Sequence, residues 1–340
     1  LFSEVDHHTQ FSLNVYGGPQ MVSFDTISNL YDAKSIVECY EGDATAPIPG
    51  IKDENGDWNV KGHPDRIIRV TKKELAVFAK LFDGNDNWKQ AKLPQLHVVQ
   101  LVDALRVFAD QPKTIATESE KIYTAEMWHE TNNQIDGTIE RNVDFPESVK
   151  SMIYSGPHIG VANPLFKTSR RICKLNSDFD PIDLTYIDDG YLQRCNYSIA
   201  CSYEEYRNRT PVTQWNIRYD EEYRLCVRKM LNQGGERTYM VAIIPPLSEH
   251  INGNFGMCMK QGLASFAANS FSIPFDFYLK STGKANINFS AASGFPILES
   301  WKHQKDTICR ALLLNCVTKY FANLWNKEYV ASFALQRWSK

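Results

Sequence analysis

"TYMVAIIPP", running from Thr238 to Pro246, is the stretch on which the fold turns. Its β-branched and aromatic residues, stopped by two prolines that cannot donate to a ladder, predict a strand. Working outward, "KIYTAEMWHE" (121–130), "SMIYSGPHIGVA" (151–162) and "SIPFDFYLK" (272–280) share that composition and are bounded by Gly, Pro and Asn. They predict a strand-rich region from about residue 113 to 298. One helix is expected inside it, over Asp220 to Leu231, where "DEEYRLCVRKML" places acids first and bases last, as the helix dipole favours.

The flanks read as helical. In "TKKELAVFAKLF", Thr71 stands three residues before Glu74, a capping box ahead of Leu75, Phe78, Leu81 and Phe82 at helical spacing. "QLHVVQLVDALRVFAD" predicts a second amphipathic helix, with Leu96, Val99, Val102, Leu105 and Val107 toward a core. Upstream, Phe11, Leu13 and Val15 alternate with polar residues before Gly17 and Gly18, the pattern of a strand. The Gly- and Pro-rich stretch 41–62 is an irregular connection with a short hairpin expected at Asn55-Gly56. From Trp301 a long helical segment is expected, with Ile308, Leu312, Cys316, Tyr320 and Leu324 on one stripe and seven Lys/Arg against two Asp/Glu. The expected fold class is therefore α+β, a mixed strand-rich domain (113–298) between a sheet-and-helix segment (1–112) and a basic helical segment (299–340).

With 340 residues, 43% apolar and 12% aromatic, the chain can bury sizeable cores. Its apolar runs, such as "ALLLNCV" from Ala311, fall far short of the ~20 residues that span a bilayer, and no charged-then-apolar leader opens it, so a cytoplasmic protein with no membrane partner is expected. Eight cysteines without a Cys-x-x-Cys pair read as reduced buried thiols rather than a zinc site or disulfide scaffold. Net charge is only −3, but it is divided: residues 1–150 carry 15 Lys/Arg against 24 Asp/Glu, and 151–340 carry 22 against 16. That asymmetry points to a polyanion-facing portion in the second half.

Catalytic signatures are sparse. The sequence has no Gly-x-Gly, which a dinucleotide or S-adenosylmethionine cradle requires. "NPLF" (163–166) keeps the Asn and aromatic ring of the Asn-Pro-Pro-Tyr/Phe tetrapeptide of adenine methyltransferases, but Leu165 replaces the second proline. Asp25, Asp32 and Lys34 can be set into a metal-dependent nuclease pattern, against the plainer reading of a surface helix end. His129-Glu130 lacks the second histidine of a zinc-protease helix, and His7 and His8 fall on opposite faces of the first strand. What remains are cationic and amide-rich loops. "NPLFKTSRRICK" offers Lys167, Arg170, Arg171 and Lys174 with the Thr168 hydroxyl and no acid among them, a set suited to phosphates and guanine edges. Arg237 lies beside Glu236, and Lys280, Lys284, Asn286 and Asn288 surround Gly283 in a hairpin-like turn whose amides suit adenine.

The order of blocks adds a resemblance. "LFSEVDHHTQFSL", "RTYMVAIIPP", "FDFYLKSTGKANINFSAASGFPIL" and "RALLLNCVTKYFANLW" follow one another as do segments downstream of the catalytic motifs in bacterial adenine methyltransferases of the type IIG restriction-modification class and their phage-defence relatives. "SGPHIGVANPLFKTSRR" is similar to part of the same region in a subset of them. The chain departs in Gly235 before Glu236-Arg237-Thr238, where the family shows Asn, and in His8 and Gln10, where it often shows Arg and Lys. The resemblance implies a target-recognition (specificity) region that reads double-stranded DNA beside a methyltransferase domain of the same polypeptide. It implies no cofactor and no catalytic residue in this chain, with S-adenosylmethionine and the tetrapeptide upstream of Leu1. Two other classes stand beside it: a metal-dependent nuclease built on Asp25, Asp32 and Lys34, and a protein-interaction module docking a partner through the basic C-terminal helix.

Overall fold

The computed structural model describes residues 12–18, 20–232 and 234–336, and its helices and strands are mixed as an α+β fold. The first expected strand falls largely on residues 1–11, outside the described residues; Leu13 and Val15 are in no strand and are exposed. The chain then forms β1 (Ser23–Thr26), α1 (Lys34–Glu41) and β2 (Ile68–Thr71), with β1 and β2 antiparallel. An antiparallel bridge between Lys52 and Trp58 closes the hairpin at Asn55-Gly56. Thr71 caps α2 (Lys72–Phe78): the Glu74 carboxylate accepts the Thr71 N–H at 2.9 Å, the expected capping box. In α3 (Gln100–Ala109) Val102 and Leu105 are buried, and Leu96 just ahead of it is too, while Val99 and Val107 face outward.

A four-stranded antiparallel sheet forms the centre. Its order is Val241–Ile244, Arg224–Arg228, Asn254–Met259, Ile122–Ala125; in chain order these are β10, β9, β12 and β3. The strand read from "TYMVAIIPP" is thus present, as an edge strand. Its outer edge is closed from elsewhere, because buried Asn315 accepts the Ile243 N–H at 2.7 Å and donates to the Ile243 carbonyl at 3.0 Å.

Four expectations are corrected here. The helix over Asp220–Leu231 is instead a 3-10 turn at Tyr219–Glu221 followed by β9, a strand buried on both faces: Leu225 and Val227 enter the main core and Cys226 a second cluster. A doubly covered strand loses its alternation, and the acid-to-base gradient imitated a helix. The segment from Ser272 is not a strand but α7 (Ile273–Ser281), capped by Ser272 and with Phe275, Tyr278 and Leu279 buried at helical spacing. The residues after Gly283 are no hairpin: 285–287 extends alongside 229–231, just beyond the end of β9, with Leu231 N–H to Ala285 O and Ile287 N–H to Lys229 O both at 2.8 Å. Finally, the C-terminal helix is two, α9 (Gln304–Asn315) and α10 (Ala322–Glu328), joined through a 3-10 turn. Its stripe is spent inside the molecule, since Ile308, Leu312 and Leu324 lie in the main core and α9 packs on α6 (Leu263–Ser270).

One core gathers residues from all three expected segments, among them Phe78, Leu105, Val227, Phe275 and Leu312. The other face of the sheet carries a smaller lobe between β3 and β9. It contains β4 (Ile139–Glu140), β5 (Ile153–Tyr154), β6 (Lys167–Ser169), β7 (Phe179–Pro181), β8 (Ser198–Ile199) and α5 (Tyr203–Arg209), and β5 pairs in parallel with β11 (Glu249–His250). No helix among the described residues is long and apolar enough to cross a membrane.

Candidate nucleic-acid interface

The site grows from the turn at 155–166. His158 is fully buried, its Nδ1 accepting the Ser155 N–H at 2.8 Å and its Nε2 3.1 Å from the Arg194 carbonyl. Burial pushes its pKa down to about 4, so the imidazole is neutral and donates through Nε2. The unfolded chain, with His near its ordinary 6.5, binds the extra proton first. Stability from this site is therefore complete above that value and drains away as pH falls toward 4. His158→Gln is expected to flatten the pH dependence of stability between pH 6.5 and 4 by up to about 1.4 kcal/mol per pH unit, measured by urea melts across that range. A parallel slope in parent and variant would contradict the assignment.

The "NPLF" residues are used by the turn. Asn163 Oδ1 accepts the Leu165 N–H at 2.9 Å, the Pro164 carbonyl accepts from Gln193 at 2.7 Å, and Leu165 is buried. Gly160 donates to the Asn163 carbonyl at 2.8 Å and must be glycine, because a Cβ there would lie 2.9 Å from the Phe166 ring. Phe166 then serves as a platform for cations: the Arg228 guanidinium lies 5.5 Å and the Lys167 ammonium 5.4 Å from its centroid.

From Phe166 the chain enters the β6–β7 hairpin, where Lys167 to Lys174 are collected. Thr168 faces the protein, its hydroxyl accepting the Arg194 N–H at 3.0 Å. Arg170 is paired with Asp180 at 2.8 Å. Arg171 and Lys174 are exposed at the tip and make no ion pair among the described residues. Two arginines from distant sequence brace the hairpin through its carbonyls: Arg194 donates to Ser169 O at 3.0 Å and Arg141 to Cys173 O at 2.7 Å. Arg194 also lies 4.6 Å from the Phe145 centroid. Arg228 makes no ion pair among the described residues either; its Nη2 donates to Pro157 O at 3.3 Å and burial pushes its pKa down to about 10. Cations and aromatic faces thus converge on one hairpin, with Asp178 and Asp180 as its own acids.

The second predicted set is divided. Arg237 is committed to Asp276 at 3.4 Å and to the Phe271 carbonyl at 3.0 Å, and Lys280 to the Gly235 carbonyl at 2.8 Å, so both fasten the 234–238 loop to α7. Asn288 caps α8 (Phe289–Ala292), accepting the Ala291 N–H at 2.8 Å. Lys284 is half-buried near Lys92 and Asp83, with burial first and the Lys92 charge second lowering its pKa. Asn286 is exposed and bridges Met230, two residues beyond Arg228, so the structure brings it to the same end of β9 as Phe166 and Lys167. Arg141 and Arg194 stand apart in sequence and only the fold assembles them, whereas Arg228 lies in the basic end of the segment expected as a helix over Asp220 to Leu231 and is brought to Phe166 by β9 instead.

The alternative chemistry gains no geometry. Asp25 is engaged by Arg69 and Asp32 accepts the Lys34 N–H at 2.7 Å, the contact of a helix start. His129 Nδ1 accepts backbone N–H groups at 131 and 132, and Glu130 accepts the Tyr197 hydroxyl at 2.5 Å. Among the described residues no three His, Cys, Asp or Glu are grouped to hold a metal ion, and the eight cysteines are free, six of them buried. No known protein family matches this chain, and no curated protein does.

Proposed function

We propose that this chain is a sequence-specific recognition module for double-stranded DNA, belonging to an adenine DNA methyltransferase of the restriction-modification or phage-defence kind and working in the cytoplasm. The observation that carries the reading is the β6–β7 hairpin, which bears Lys167, Arg171 and Lys174 and is braced by Arg141 and Arg194, with Arg194 over Phe145 and Arg228 and Lys167 over Phe166. Cations that make no ion pair among the described residues suit phosphates and guanine edges, and Asn286 at the same sheet end adds an amide able to read adenine.

The module does no methyl transfer in this reading. The central sheet is antiparallel and no glycine-rich strand-to-helix turn stands beside it, so the described residues do not fit S-adenosylmethionine, which falls to the methyltransferase domain of the same polypeptide. Selection of bound duplexes from a random-sequence pool tests the function. Enrichment of a defined site is expected, and an unenriched bound pool would contradict sequence-specific reading.

A further inference from the structure

We propose that the tip of the β6–β7 hairpin is a wedge that enters a base step of duplex DNA, with Ile172 and Leu175 as the inserting side chains. The proposal rests on the DNA reading above and adds how the duplex is deformed.

The tip is a fixed loop. Arg170 N–H donates to Asp178 O at 2.9 Å, continuing the ladder, and Asp178 N–H returns to Leu175 O at 3.0 Å. One Asp178 carboxylate oxygen accepts the N–H groups of Lys174 and Leu175, each at 2.9 Å. Cys173 is buried in the middle of the loop and its carbonyl is held by Arg141. With the backbone pinned at those points, Ile172 and Leu175 are held outward, 74% and 67% exposed, instead of folding back onto the lobe.

Single exposed aliphatic residues are common. These two differ in being interleaved with Arg171 and Lys174, which lack ion pairs among the described residues. An occupant must therefore offer negative charge on either side of an apolar slot. Duplex DNA does so, with phosphates flanking stacked base faces, and proteins that insert aliphatic wedges between base steps use this combination. Unstacking a step costs a few kcal/mol, which the flanking phosphate contacts and the covered aliphatic surface offset.

The probe is a pool of short random-sequence duplexes bound to the full chain, with permanganate oxidation reporting unstacked thymines. In the bound fraction, wild-type protein is expected to expose reactive thymines. Ile172→Ser with Leu175→Ser is expected to lower that reactivity about tenfold, the factor that 1.4 kcal/mol represents, while leaving the salt dependence of binding intact. Arg171→Ala with Lys174→Ala is expected to do the reverse and reduce the salt dependence. Both pairs lie at exposed positions, so unchanged thermal melts identify folded variants. Duplex binding without reactive thymines, or reactivity retained by the serine variant, would overturn the wedge and leave the DNA reading standing. Failure of the wild-type chain to bind duplex at low salt would overturn both.

Discussion

Gly256→Ala is expected to be among the most damaging single substitutions in this chain, lowering stability by about 3 kcal/mol or more. Gly256 sits in β12 between Cys226 of β9 and Ala125 of β3, so its backbone is held on both sides. A Cβ there would lie 1.8 Å from the Tyr219 hydroxyl oxygen and 2.5 Å from His250 Nε2. Those two groups are buried and hydrogen-bonded to each other at 3.0 Å, so making room also strips a pair with no other place to go. Gly253→Ala is the control: its nearest neighbour would be the Ile251 side chain at 3.5 Å, an ordinary contact, and near-neutral stability is expected. Urea melts of the two variants check this, and a Gly256→Ala protein as stable as the parent would contradict the packing described for β12.

The second large effect belongs to Arg224, fully buried in a lobe where water cannot replace its partners. Its guanidinium meets Glu249 at 3.3 Å and the Pro245 carbonyl at 3.0 Å, and lies 4.8 Å from the Tyr219 ring centroid. Arg224→Met is expected to cost about 3 to 5 kcal/mol, because the buried Pro245 and Ser248 carbonyls lose their donor and Glu249 its cation. Burial already raises the Glu249 pKa, to about 8, with Arg224 opposing the rise. A carboxyl with a raised folded pKa contributes most below its unfolded value and loses that contribution as pH climbs through the folded one. The penalty of Arg224→Met should therefore be larger at pH 8 than at pH 5. Adding Glu249→Leu should recover much of the loss, since an apolar pair replaces an ionic one at little net cost. A penalty that is equal at both pH values would contradict the role given to Glu249.

Where structure depends on neighbours in sequence, the sequence was readable. The Thr71–Glu74 capping box and the Asn55-Gly56 hairpin rest on contacts within a few residues, and the strand at Val241–Ile244 carries its own β-branched run and proline stop although its partners are distant. The misread elements depend on distant partners. Arg224 looks like part of an amphipathic helix until Glu249 and the 245–248 carbonyls surround it, and the C-terminal helix stops where Asn315 turns to close the edge of β10. α7 carried its signals, Ser272 as cap and Pro274 in the first turn, but its aromatic content weighed toward a strand. The site divides in the same way. Arg171 and Lys174 were found by local density of charge, Arg237 and Lys280 proved to be consumed by Asp276 and Gly235, and Arg141, Arg194 and Arg228 are brought in by the tertiary structure.

The measurement that bears most directly on a DNA-reading hairpin is the affinity of the chain for duplex DNA across a salt series, for wild type and for Arg171→Ala with Lys174→Ala. Each phosphate contact contributes a slope of about −0.9 in log affinity against log salt, so loss of two contacts is expected to make the slope shallower by about 1.8 and to weaken binding at low salt. A folded double variant with the parent's slope and affinity would contradict the account.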